Sequence, residues 1–119
     1  GECWSMSGSN GTVGITLSTK IFMDSVTLVH PSASVLLGDI INAPRVFRVF
    51  AIPIDPIYLE EDLVFLGEFE YDIHSQYKAQ KFLLVENTDR VYQTVIIQFL
   101  SNWGNPNFTD IYRIKISGK

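Results

Sequence analysis

Apolar and polar residues alternate with a period of two through most of the chain, and no segment sustains the 3.6-residue period of an amphipathic helix, so the pattern predicts strands. Thr12 to Ser18 puts Val13, Ile15 and Leu17 on one face. Phe22 and Met23 lead through Asp24-Ser25 into a second run, Val26 to His30, and the two runs are expected to be strands of one sheet. Pro31-Ser32-Ala33-Ser34 ends the second run, and Val35 to Ile41 has no clear period, leaving a helical turn or a short edge strand open. Arg45 to Ile52 is strongly β-prone, with Pro44 tolerated only at its start and Pro53-Ile54-Asp55-Pro56 stopping it. From Leu63 to Tyr71 the apolar set Phe65, Gly67, Phe69 and Tyr71 alternates against Glu68 and Glu70, and Gly67 marks a bulge or a close approach. Gln80 to Val85, a turn at Asn87-Thr88-Asp89, and Tyr92 to Leu100 follow. Thr109 to Ile116 reads as one final strand, with Ile111, Ile114 and Ile116 inward, Asp110, Arg113 and Lys115 outward, and one irregular step at Tyr112.

About seven or eight short strands separated by turn signals, with no repeat and no linker, predict an all-β fold, an antiparallel two-sheet β-sandwich. Its inward set is expected to be Ile15, Leu17, Val26, Leu28, Val46, Phe50, Phe69, Phe82, Leu84, Val95, Ile97, Phe99, Ile114 and Ile116. Trp103, held in a Gly/Pro turn, closes one end, and Trp4 pins the Gly- and Ser-rich leader to the core. At ~1.5–3 kcal/mol for each large side chain, such a core is ample to offset chain entropy.

A chain of 119 residues is read as a single domain, 1–119. A hydrophobic fraction of 46% against 18% charged residues excludes a disordered tail, while the longest uncharged apolar runs fall far short of the ~20 residues of a membrane helix. The net charge of −4, with Lys and Arg scattered singly, supplies no basic face, so no nucleic-acid partner is expected. With one cysteine, Cys3, the chain can form neither an internal disulfide nor a thiolate metal site. Asn10-Gly11-Thr12 and Asn107-Phe108-Thr109 fit the glycosylation acceptor pattern, which matters only in the secretory lumen. No signal peptide or anchor is visible, and the chain opens inside a domain, as an excised fragment would.

Candidate chemistry is sparse. His30 and His74 belong to no metal-ligand spacing, and His74 lies in a polar loop expected to be solvated. No Gly-x-Ser-x-Gly elbow is present, and Gly8-Ser9-Asn10-Gly11 lacks the following helix that a phosphate cradle needs. Glu60-Glu61-Asp62 reads as a solvated acidic loop. Neither an enzyme, nor a cofactor, nor a metal is expected, which leaves binding.

The run Asn102-Trp103-Gly104-Asn105-Pro106-Asn107-Phe108-Thr109-Asp110-Ile111-Tyr112-Arg113 resembles the C-terminal signature of the SUN domain, the perinuclear half of the bridges across the nuclear envelope. Glu2-Cys3-Trp4, Val26 to Pro31, Asn42 to Phe50 and Leu66 to Asp72 agree in the same order, so the resemblance covers nearly the whole chain. It implies a jelly-roll-like sandwich, a place at the inner nuclear membrane facing the perinuclear space, and capture of the C-terminal tail of KASH proteins. Such capture links nucleoskeleton to cytoskeleton in nuclear anchorage, nuclear migration or meiotic chromosome movement. The tail's terminal carboxylate is implied to meet His30, Asn42 and Tyr112, whose imidazole N–H, amide N–H and phenolic O–H are suitable donors, with Phe108 in a packing role. The family usually has Ser at the position of Asn42 and often Tyr at that of Phe108.

The resemblance also sets limits. In vertebrate members the position of Cys3 pairs with a cysteine where Asp110 stands here, steadying a cation loop; here that bridge is impossible and no bound potassium is expected. The hairpin lid and helical stalk of the family would precede Gly1, as would any route to the membrane. The implied homotrimer therefore belongs to the full-length protein, and this stretch alone is expected to be mainly monomeric. The competing reading is a carbohydrate-binding jelly-roll module with Trp103, Asn102 and Asn105 as its sugar site. An exposed Trp103 favours that reading, a packed one the SUN resemblance.

Overall fold

The computed structural model describes residues 4–30, 40–53, 63–75, 77–85 and 90–119. The expectations for Cys3, for the connection over residues 31–39, for the acidic loop Glu60-Glu61-Asp62 and for the turn Asn87-Thr88-Asp89 lie outside the described residues. Among the described residues, strands β1 (Trp4–Ser7), β2 (Gly11–Ile21), β3 (Met23–Val29), β4 (Val46–Ala51), β5 (Val64–Glu70), β6 (Ala79–Leu83), β7 (Tyr92–Phe99), β8 (Phe108–Ile111) and β9 (Arg113–Gly118) make up the fold, with a 3-10 turn at Ile40–Asn42. They form a four-stranded sheet in the order β2-β7-β4-β5, a three-stranded sheet in the order β6-β3-β9, and a ribbon of β1 with β8, every pairing antiparallel. The all-β antiparallel sandwich expected from the alternation is the observed fold.

The two larger sheets share one core. Phe47 of β4 lies at its centre, fully buried, with ring centroids 5.1 Å from Phe82 of the opposite sheet, 5.6 Å from Phe69 and 5.9 Å from Phe99. Val26, Leu28, Leu84, Val95, Ile97 and Phe99 are buried as expected. Ile15, Leu17, Phe69, Phe82, Ile114 and Ile116 are partly buried against that core.

The structure corrects four of the strand expectations. β2 and β3 belong to different sheets. Only Phe22 separates them, with none of the Gly or Asn residues that a tight hairpin requires, so the chain turns a corner between layers. The corner is tied down by paired backbone bonds between Phe22 and Lys119, 2.8 and 3.0 Å long. In β4 it is Phe47, Val49 and Ala51 that are fully buried, while Val46 and Phe50 are half-buried on the other face. Apolar residues occupy both parities of this strand, and the phase is set by Arg48, whose Nε donates to Glu68 Oε1 at 2.7 Å on the outer face.

In β5 the bulge lies at Gly67, as its place in the alternation predicts. Val49 pairs with Gly67 but Phe50 with Phe65, and Gly67 has φ of +148°. That slip reverses the phase, so Leu66 is buried and Phe65 is exposed, stacked edge-on against Phe50 on the outer surface at 5.6 Å. The last run, finally, is two strands. β8 pairs with β1 and β9 with β3, and the irregular step at Tyr112 is the residue where the chain changes sheet. Asp110, placed on a wet face by the single-strand reading, is consequently turned inward and only 8% exposed.

Candidate functional site

The joint between β8 and β9 lies beside the end of β3 and the 3-10 turn, and this convergence positions the candidate site. His30 follows β3 directly, and its backbone N–H donates to the Lys78 carbonyl at 3.1 Å. Asn42 closes the 3-10 turn, which is held to the Trp103 loop by a bridge between Pro44 and Asn102 and by bonds from Trp103 N–H to Ala43 O (3.2 Å) and Asn105 N–H to Ile41 O (3.3 Å). Asp110 comes from β8 and Ser5 from β1, partners in the ribbon register.

The side chains meet in a line. His30 Nε2 lies 3.1 Å from Asn42 Oδ1, and Asn42 Nδ2 donates to Asp110 Oδ2 at 3.0 Å. The Ser5 hydroxyl donates to the other carboxylate oxygen, Oδ1. His30 is 2% and Asn42 3% exposed, so this is an interior network in which each polar group is matched to a complementary one. Tyr112, half-buried, sets its ring edge-on to His30 with centroids 4.8 Å apart and planes at 79°.

Three of the four residues singled out from sequence, His30, Asn42 and Tyr112, are therefore together. Phe108 stands at the outer end of β8, two residues from Asp110 and so on the same strand face, 36% exposed. Sequence reasoning did not include Ser5, Asp110 or Tyr71. Tyr71 is buried beneath His30, with ring centroids 6.5 Å apart, and its hydroxyl donates to the Lys78 carbonyl. Burial pushes the Tyr71 phenol up to about 12, outweighing the backbone contact with His30, so the hydroxyl stays protonated, a donor, through the physiological range.

The Trp103 loop is a buttress. Trp103 Nε1 donates to the Tyr71 carbonyl at 2.8 Å, its ring packs on the core, and the Arg45 guanidinium lies 4.3 Å from the ring centroid. Asn102 Nδ2 is shared among Asn105 O, Phe108 O and Thr109 Oγ1 at 2.7–3.0 Å, and its Oδ1 accepts from Gly104 N–H. Asn105 Oδ1 accepts from the backbone of Asn107 and Phe108. The groups a sugar site would need are thus engaged in holding the loop. His74, exposed as expected, rests edge-on against Trp103 at 5.5 Å. Among the described residues no three His, Cys, Asp or Glu side chains gather as a metal site would require, and no helix is long and apolar enough to cross a membrane.

Fold and site together define a jelly-roll-like β-sandwich with a buried polar network where the end of β3, the 3-10 turn and β8 meet. The family model described as Sad1 / UNC-like C-terminal matches residues 1–119, and the chain belongs to that family, the SUN-domain proteins. It is 37% identical over 119 residues to mouse sperm-associated antigen 4 protein, covering 99% of this chain and 26% of the relative. To human SUN domain-containing protein 5 it is 34% identical, covering 99% and 30%, and to mouse SUN domain-containing protein 2 also 34%, covering 100% and 16%. The chain thus spans less than a third of the length of each of these relatives. Among solved structures, the family 32 carbohydrate-binding module of Streptococcus pneumoniae EndoD superposes with a TM-score of 0.73 at 16% identity, covering 98% of this chain and 75% of that one. The C-terminal domain of a Bacteroides fragilis chitobiase gives 0.65 at 15% identity, covering 92% and 64%. At such identities the likeness is one of fold alone.

Proposed function

We propose that this domain is the perinuclear binding module of an inner-nuclear-membrane SUN protein, and that it captures the C-terminal tail of KASH proteins with the terminal carboxylate received at His30, Asn42 and Tyr112. What carries the reading is the convergence of these three side chains from the end of β3, the 3-10 turn and the β8–β9 joint, with Nε2 of His30 3.1 Å from Asn42 and the rings of His30 and Tyr112 4.8 Å apart. A carboxylate leaving water needs charge-assisted hydrogen bonds in exchange, and the Tyr112 hydroxyl, set beside the buried His30–Asn42 pair, is suited to give one. Phe108, partly exposed at the head of β8, offers apolar contact to the residues preceding the carboxylate. The full-length protein acts as a trimer whose stalk raises the effective concentration of the domains, and the bridge it forms serves nuclear anchorage, migration or meiotic chromosome movement.

Tyr112→Phe tests the site in the protein's whole lumenal region. Removing one hydrogen bond to a charged group, worth ~1.5–3 kcal/mol, weakens capture of a KASH-tail peptide by roughly ten- to a hundredfold while the β-sheet spectrum and melting temperature stay close to wild type. Wild-type affinity in a folded Tyr112→Phe protein would remove Tyr112 from the site.

A further inference from the structure

The line Ser5, Asp110, Asn42, His30 has a direction that the chemistry of its members fixes. A carboxylate only accepts hydrogen bonds, so both atoms facing Asp110 are donors: the Ser5 hydroxyl at Oδ1 and the Asn42 amide nitrogen at Oδ2, 3.0 Å away. An amide's oxygen and nitrogen are ordinarily interchangeable in orientation, but here the nitrogen is pinned against the carboxylate, and the Asn42 oxygen therefore faces His30. That oxygen also only accepts, so at 3.1 Å the His30 Nε2 must carry the hydrogen. The neutral ring is thereby held as the Nε2–H tautomer. The carboxylate's charge is met by hydroxyl and amide donors, and neither ion pair among the described residues involves it.

We infer that Asp110 is a positioning residue for the pocket: acting through Asn42, it sets the orientation and the tautomer in which His30 is presented. Asp110 does this from β8, in a ribbon separate from the sheet that holds β3. It is 8% exposed, is held on its far side by Ser5 of β1, and is separated from Asn42 by 68 positions in the chain. Buried, fully matched networks of this kind admit one arrangement, because reversing any member leaves two donors or two acceptors face to face. One amide hydrogen of Asn42 is thereby committed to the protein, so Asn42 contributes to the pocket chiefly by aligning its neighbour.

The inference rests on the pocket reading for its consequence, but its test contains no ligand and so fails or succeeds apart from tail binding. The lumenal region is labelled with 15N-histidine, and long-range proton–nitrogen correlation spectra read which ring nitrogen of His30 is protonated at neutral pH. The wild type shows the Nε2–H pattern, and an Nδ1–H pattern would overturn the inference. Asp110→Asn keeps an oxygen for Asn42 and a group for Ser5, and retains the pattern. Asp110→Leu releases the amide and loses the pattern, giving a mixed or reversed tautomer. Asn42→Ala cuts the link without touching the carboxylate and is read in the same way. Retention of the wild-type His30 signature in folded Asp110→Leu or folded Asn42→Ala would show that Asp110 does not set it.

Discussion

Phe47→Ala is expected to remove about 3–5 kcal/mol from the unfolding free energy, the range for truncating a fully buried phenylalanine whose cavity cannot close. The ring touches both sheets: Phe69 and Phe99 lie beside it and Phe82 stands edge-on at 5.1 Å across the core. Domains of this size have only about 5–15 kcal/mol to lose, so the variant sits near its threshold of folding. Denaturant unfolding followed by tryptophan fluorescence reads the effect. A loss below about 1 kcal/mol would mean that β4 presents its other face to the core and that the packing described here is wrong.

Gly67→Ala comes second, at roughly 2–5 kcal/mol, combining a strained backbone with overpacking. A side chain at φ of +148° is in a region that only glycine enters freely, and a Cβ there would come 2.4 Å from Cζ of Phe69. The bulge cannot relax cheaply, because it sets the phase that puts Leu66 in and Phe65 out. Calorimetric melting of Gly67→Ala against wild type measures the cost, and an unchanged melting temperature would show that the bulge adapts to a side chain.

Much of the fold was legible because alternation speaks clearly where one parity is polar. In β7 the small inward set Val95, Ile97 and Phe99 stands against Gln98 and Thr94, and it is buried as read. In β4 both parities are apolar, so periodicity is silent and a single charged side chain, Arg48, carries the information. Gly67 could be recognised as a bulge, but the consequence of a bulge, the reversal of phase beyond it, was not drawn for Phe65. The irregular step at Tyr112 was visible too, yet a strand that changes partners looks in sequence like a strand with a flaw. The site was less legible from residues alone. Its members, at positions 5, 30, 42, 110 and 112, are joined by contacts that no local pattern announces, and the family signature rather than spacing brought His30, Asn42 and Tyr112 forward. Asp110 was hidden by a sound rule, since a charged residue in a strand usually faces water.

The site reading is tested most directly by isothermal titration of the lumenal region with two peptides of one KASH-tail sequence, one ending in a free carboxylate and the other in a carboxamide. If His30, Asn42 and Tyr112 receive the terminal charge, the free acid binds and the amide binds at least about tenfold more weakly, the loss of one charge-assisted contact. Equal affinity for the two peptides, or no binding of the free acid, would contradict it.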